Sequence, residues 1–258
     1  MSRKELRAPD AFQRIGAEAR SWLQQRQKTL AVLAALIAVA SVAALLASYF
    51  SGRAESQAAQ MFSAALKLVS RPVQSSTTPN ESDQEDEQPF PSQRAKDEAV
   101  VQELSQLRVL HPKTRAAHTA ALALGGAAYR LGRYDPALNA FEDFLKAVPP
   151  TDPLRAEALE GEGYVFEAKG QLEQALLTYD QMASVTKGEF MTGMGLYHRA
   201  RILVQQGKKD EAAKALVEVK SNYPTSTAGR LAGERISLLE REGVKIPPPA
   251  PKAAADAG

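Results

Sequence analysis

RLGRYDPALNAFEDFLKAVPP (Arg130–Pro150), AKGQLEQALLTYDQMASVTKG (Ala168–Gly188) and QQGKKDEAAKALVEVKSNYPT (Gln205–Thr225) are three versions of one segment. Gly132, Gly170 and Gly207 align, as do Ala137, Ala175 and Ala212, and then Phe141, Tyr179 and Leu216. The separations are 38 residues (132 to 170) and 37 (170 to 207). A period of this length with two helical patterns per unit predicts a helical solenoid, in which each hairpin buries its apolar face only by stacking on its neighbours.

The aligned residues predict the local geometry. Each shared glycine falls between two helices, where a left-handed backbone is needed and glycine adopts it most cheaply. Each shared alanine lets the second helix approach the first, and the aromatic or leucine four residues on lies on the same face. Asp135 and the pair Asp210-Glu211 sit at second-helix starts, favourable for the helix dipole. Pro149 and Pro224 close second helices. The segment Lys96–Leu110, with Val100, Val101, Leu104, Leu107 and Leu110 on one side, predicts a preceding helix ended by His111-Pro112. Ser226–Glu242, with Leu231, Ile236, Leu238 and Leu239 apolar, predicts a capping helix.

These residues resemble the tetratricopeptide-repeat family. Its pattern of small residue, tyrosine-like residue, glycine, alanine, aromatic and proline is met by Gly125, Ala128, Gly132, Ala137, Phe141 and Pro149. The second unit offers Gly163, Phe166, Gly170, Ala175 and Tyr179; the third offers Ala200, Leu203, Gly207, Ala212, Leu216 and Pro224. The family's tryptophan position holds Ala121, Leu159 and Leu196, and its late small residue is replaced by Phe144, Met182 and Val219, so the repeats are degenerate. The likeness covers roughly residues 118–225.

The other organising stretch is TLAVLAALIAVASVAALLASYF (Thr29–Phe50), with no charge, proline or glycine. As a helix rising about 1.5 Å per residue it spans roughly 33 Å, enough for a bilayer core of about 30 Å. Seven bases precede it (Arg3, Lys4, Arg7, Arg14, Arg20, Arg26, Lys28) against three acids. Basic short flanks stay cytoplasmic, which predicts an N-terminus inside and residues 51–258 outside, in the periplasm if the cell is bacterial. The apolar run is long for a signal peptide and ends in Tyr49-Phe50 with no small-residue cleavage site, so an uncleaved anchor is expected. Phe12, Ile15, Ala19, Trp22 and Leu23 recur at helical spacing and read as an amphipathic helix on the inner leaflet.

The expected organisation is an all-α chain: residues 1–28 a basic cytoplasmic arm, 29–50 a transmembrane helix and 51–71 a membrane-proximal helix. Residues 72–93 are then a disordered acidic insertion, 94–242 the tetratricopeptide-repeat domain and 243–258 a disordered Pro/Ala-rich tail. In the 51–71 helix the apolar face is read as Ala58, Phe62, Ala65, Leu66 and Val69. The insertion is dominated by Ser, Thr, Gln, Pro and the acids Glu81, Asp83, Glu85, Asp86 and Glu87, too polar to offset its ordering entropy.

Composition excludes several function classes. The chain has no cysteine, so disulfides, thiolate metal sites and cysteine nucleophiles are absent. Net charge is +2, but beyond the span 25 bases face 27 acids, which is no nucleic-acid footprint. His111, His118 and His198 have no metal-ligand spacing to each other. Gly125-Gly126 lies inside a helical pattern, so it is packing rather than a phosphate loop. Glu157, Glu160 and Glu167 share one helix and read as a solvated face rather than an acid–base pair. No enzyme, cofactor or metal is expected.

In tetratricopeptide domains the first helices of each repeat line a groove that holds peptides. By that resemblance the lining here is Leu122 and Tyr129; then Glu157, Glu160, Tyr164 and Glu167; then Met194, Tyr197 and Arg201. The whole layout, a basic arm, one span, a helix running on and degenerate repeats, resembles the YfgM-like ancillary subunits of the bacterial Sec translocon. That resemblance implies an inner-membrane scaffold whose partners are the translocon, a periplasmic chaperone and unfolded exported chains. The alternative is a structural adaptor in an envelope-assembly or cell-division complex.

Overall fold

The computed structural model describes residues 20, 22, 26–74, 88–185 and 189–249, and all structural statements below concern these residues. The predicted amphipathic arm, the acidic run and the end of the tail lie almost wholly outside them. Nine helices are described: α1 (Gln27–Ser70), α2 (Gln93–Leu110), α3 (Arg115–Arg130), α4 (Tyr134–Ala147), α5 (Arg155–Ala168), α6 (Leu172–Val185), α7 (Glu189–Gln205), α8 (Lys209–Asn222) and α9 (Thr227–Arg241). The chain divides into two compact units, one up to Ala54 and one from Glu55 onward.

The first unit is the apolar part of α1. It is the one described helix long and apolar enough to cross a membrane, and none of its apolar window is covered by protein. Val32, Leu36, Ile37, Val39, Leu45, Tyr49 and Phe50 are all exposed. Ser41 and Ser48 return their hydroxyls to Ile37 O and Leu45 O, so their polar groups are satisfied within the helix.

The second unit begins with the outer turns of α1. Ala58 and Ala65 are buried, and Met61, Phe62 and Leu68 pack beside Ala65 against Val100, Leu104 and Leu107 of α2 and Ala117, Ala120 and Leu124 of α3. The expected face is therefore shifted: Leu66 and Val69 are exposed, and Met61 and Leu68 replace them. The chain then reverses. Lys96 Nζ donates to Arg71 O, tying the start of α2 to the end of α1. The ends of the acidic insertion are held together as well, with Gln74 N donating to Phe90 O and Phe90 N to Pro72 O. Ser92 caps α2, so that helix starts three residues before the expected Lys96.

Glu55 closes the arrangement. Its carboxylate accepts from the amides of Arg115 and Ala116, capping α3 alongside Thr114. Asp97, buried in α2, accepts two-pronged hydrogen bonds from Arg130 at the end of α3 and one from Gln93.

From α3 onward, helices pair as hairpins α3–α4, α5–α6 and α7–α8, with α9 added to the last. Gly132, Gly170 and Gly207 have φ of +73°, +72° and +77°, as the repeat predicts. A fourth, Gly243 at +83°, ends α9 in the same way, and Val244 N donates to Leu239 O. The order thus continues past 243: Val244 and Ile246 pack against the last core cluster, where a disordered tail was expected. On α9 the buried face is Ala228, Ala232, Ile236 and Leu239, whereas Leu238 is exposed.

The hairpins are set by size-matched pairs. The aromatic ring of Phe141 fills the space a side chain on Gly125 would need, and Tyr179 does the same at Gly163. In the third hairpin Ala200 replaces glycine, and the smaller Leu216 shares its cluster. Phe141 also lies over Gly161 of the following hairpin, where an added Cβ would come 2.3 Å from Cζ. One ring therefore packs against two successive first helices.

Candidate functional site

The first helices α3, α5 and α7 carry a continuous set of aromatic and polar side chains. Tyr129 of α3 lies 6.2 Å (ring centroids) from Tyr164 of α5, and Tyr164 lies 5.3 Å from the His198 ring of α7. Tyr134, at the start of α4, extends the row from Tyr129 at 6.0 Å. On the inner side Tyr179 of α6 stacks on His198 at 4.7 Å. All these spacings fall within favourable aromatic contact.

Hydrogen bonds lock the Tyr164–His198 end of the row. Glu160 Oε1 lies 3.0 Å from His198 Nε2 and 3.3 Å from the Tyr164 hydroxyl. His198 Nδ1 is 3.2 Å from Arg201, whose guanidinium can only donate. Nδ1 is therefore the acceptor, and the proton sits on Nε2, donating to Glu160. Arg201 also grips both carboxylate oxygens of Glu167, Tyr179 donates to Glu167 Oε1, and Gln205 adds a longer bond.

The electrostatics follow from this packing. Burial alone would push the Glu167 carboxyl up, but the hydrogen bonds from Arg201 and Tyr179 outweigh it and hold the carboxyl below its ordinary value. Arg201 is held charged in the same way, its partner Glu167 outweighing burial. Burial drives the phenols of Tyr129, Tyr164 and Tyr179 upward, so all three stay protonated donors at neutral pH. One further carboxyl is displaced: burial, with Glu142 nearby, pushes Glu162 on α5 up to about 7.

Two tetratricopeptide-repeat family profiles match the chain, one over residues 103–188 and one over 195–226. The solenoid is built of tetratricopeptide repeats. Among solved structures, the nearly identical TPR-like repeats of a Podosopora anserina protein assigned to the kinesin light chains align with a TM-score of 0.50 and 14% identity. The match covers 58% of this chain and 81% of that one. A single-substitution variant of the same protein aligns equally well, with 80% of its length covered. At this identity the likeness concerns the fold. No curated protein sequence matches the chain.

Within the tetratricopeptide frame, the nine expected groove residues separate into groups. Tyr129, Glu160, Tyr164, Glu167 and Arg201 come together in the row just described. Glu157 lies one turn before Glu160 and is exposed. Met194 is half-buried between the second and third cores. Leu122 and Tyr197 do not line an open surface: each is 9% exposed. They stand ten residues before their repeat glycines, as does Glu160, and this position faces the next first helix. Leu122 clusters with Ala158 of α5, Tyr197 with Ala228 and Ala232 of α9, and Glu160 meets His198 of α7.

One expectation about these side chains is corrected. Glu160 and Glu167 are not a solvated face, because His198, Tyr164, Tyr179 and Arg201 engage them. His198 is 3% exposed at the centre of the row. Its partners Glu160 and Tyr164 lie 38 and 34 residues away, which no histidine-to-histidine spacing reveals. Glu160 and His198, 38 residues apart, are offset by one repeat, whereas Tyr164 with His198 and Glu167 with Arg201 are 34 apart, one helical turn short of it.

Proposed function

We propose that this chain is a membrane-anchored protein-binding scaffold. Its tetratricopeptide repeats mark it as a protein-interaction scaffold. The observation that supports a binding face on the first helices is the row Tyr129–Tyr164–His198, which spans three repeats and is hydrogen-bonded between the second and third by Glu160, Glu167 and Arg201. Rigid aromatic side chains with polar tips are what protein recognition surfaces favour. The carboxylates Glu157 and Glu160 beside it favour segments carrying positive charge.

In this reading α1 is an uncleaved anchor, the N-terminus is cytoplasmic and the repeats stand on the far side of a bacterial inner membrane. The domain limits follow the sequence reading except at the ends of the repeat domain, where α2 starts at Gln93 and packing continues to Ile246; the partner groove lies on these repeats. The role is that of an ancillary factor at the Sec translocon, passing newly exported unfolded chains to a periplasmic chaperone. The basic arm and the uncharged 22-residue run support the orientation, through the inside preference of Lys and Arg.

Purification of the full chain from membranes in mild detergent tests the role, with quantification of co-purifying proteins against a Tyr129→Ala/Tyr164→Ala variant. Translocon subunits and a periplasmic chaperone, both depleted by the variant, are the expected result. Recovery of division or wall-assembly proteins instead assigns the chain to an envelope-assembly complex.

A further inference from the structure

We infer that the corner between α2 and α3 is a second contact surface, one that docks on the anionic lipid headgroups of the membrane holding α1. The inference rests on the anchor reading. Its first observation is exposure. Val109 and Leu110, at the end of α2, are 78% and 57% exposed, although the helix pattern would have buried Leu110. Two adjacent apolar side chains at a helix tip are left uncovered by the rest of the second unit.

The second observation is charge. From Arg108 to Arg115 the corner carries Arg108, His111, Lys113 and Arg115 and no acid. Three carboxylates approach it. Asp143 pairs with Arg108, Glu55 is occupied by the first amides of α3, and Asp152 shares a cleft with Arg115 while accepting from Leu154 N. Lys113 and Arg115 are exposed, and among the described residues neither forms an ion pair. Apolar side chains flanked by Lys and Arg form the pattern of an interfacial membrane contact.

The third observation is placement. Helix α2 starts beside Arg71 and runs back along α1, and Glu55 holds the first turn of α3. Glu55 lies only five positions beyond Phe50, the last of the apolar run. Whatever the orientation of the two units, that length of chain reaches at most about 17 Å. The corner is therefore tethered close to the bilayer surface, where binding loses little freedom.

The absence of cysteine makes the test direct. Val109→Cys carries a polarity-sensitive fluorophore in the full chain, reconstituted in nanodiscs of phosphatidylcholine alone or with phosphatidylglycerol. Leu177→Cys, 63% exposed on α6, is the aqueous control. The expected result is a blue shift at 109 and loss of at least about half its quenching by a water-soluble quencher in phosphatidylglycerol discs, with 177 unchanged. Lys113→Gln with Arg115→Gln should abolish the dependence on phosphatidylglycerol; both changes leave the backbone cap by Glu55 in place. Equal accessibility at 109 and 177 in a membrane-inserted chain overturns the inference while the anchor stands. Equal protection in both lipids overturns the anionic part. Oxidative cross-linking of two Val109→Cys chains assigns the patch to a second copy and overturns it too. A chain that fails to co-float with vesicles removes the anchor reading itself.

Discussion

Arg201 of the third repeat holds both carboxylate oxygens of Glu167 in the second, and the two are 18% and 13% exposed. This ion pair crosses a repeat boundary and is shielded enough that removing one partner strands a charge. Glu167→Ala should cost about 3 kcal/mol, whereas the double variant with Arg201→Ala should cost less than the sum of the singles. A thermal or denaturant double-mutant cycle on the detergent-solubilised chain measures the coupling. Additive losses would mean that the pair does not join the repeats.

The same carboxyl has a signed pH dependence. Glu167 is held below its ordinary value, so its stabilisation is fully present above the unfolded value near 4.5. It is lost as pH falls through the folded value. Glu162 has the opposite sign. Raised to about 7, it contributes most below 4.5, and that contribution is lost as pH rises through about 7. Glu162→Gln should therefore raise the melting temperature at pH 8 and change it little at pH 4. A benefit that is equal at both pH values would show that Glu162 ionises normally.

Glycines in the first helices should respond in opposite directions. A Cβ on Gly163 would lie 2.5 Å from the Tyr179 ring, so Gly163→Ala should destabilise by about 1–3 kcal/mol. Gly126 also lies within a helix, but its nearest neighbour is the end of Arg130 at 3.6 Å. Gly126→Ala should stabilise by about 0.5–1 kcal/mol through helix propensity. Chemical denaturation of the two variants decides the matter, and two changes of the same sign would place the packing wrongly.

Partner binding should depend on the outer members of the row. Tyr129→Ala and Tyr164→Ala should each weaken binding, the better of them by about 2 kcal/mol or roughly thirtyfold. Tyr197→Ala should instead lower stability, because Tyr197 is packed against α8 and α9. Titration of a co-purified partner, with unfolding measured in parallel, separates the two effects. Unchanged affinity in a folded Tyr129→Ala/Tyr164→Ala chain would move the working surface elsewhere.

Topology has its own test. A reporter active only outside the cytoplasm, fused after Gly258, should be active in cells that retain the N-terminus in the mature protein. A soluble chain beginning near Ser51 would show that α1 is a cleaved leader.

Local chemistry determined much of this protein without tertiary information. The uncharged run from Thr29 to Phe50 can only be an unusually apolar helix. Gly132, Gly170 and Gly207 sit where only a residue without a side chain turns the backbone cheaply, and their positive φ values follow. The small-to-large pairing of Gly125 with Phe141 and Gly163 with Tyr179 was readable because it recurs at the repeat period.

What escaped the sequence depends on which helix packs against which. One position, ten residues before each repeat glycine, bears Leu122, Glu160 and Tyr197, and it faces the next first helix in all three repeats. Tyrosine at such a site looks like a binding residue until the neighbouring helix covers it. His198 looked solitary because Glu160, Tyr164 and Tyr179 reach it across helices. Leu110 looked buried because helical periodicity assigns a face, not a neighbour, and the turn at His111 leaves that face uncovered. Periodicity is written in the chain; burial requires a partner surface, and only the tertiary structure supplies one.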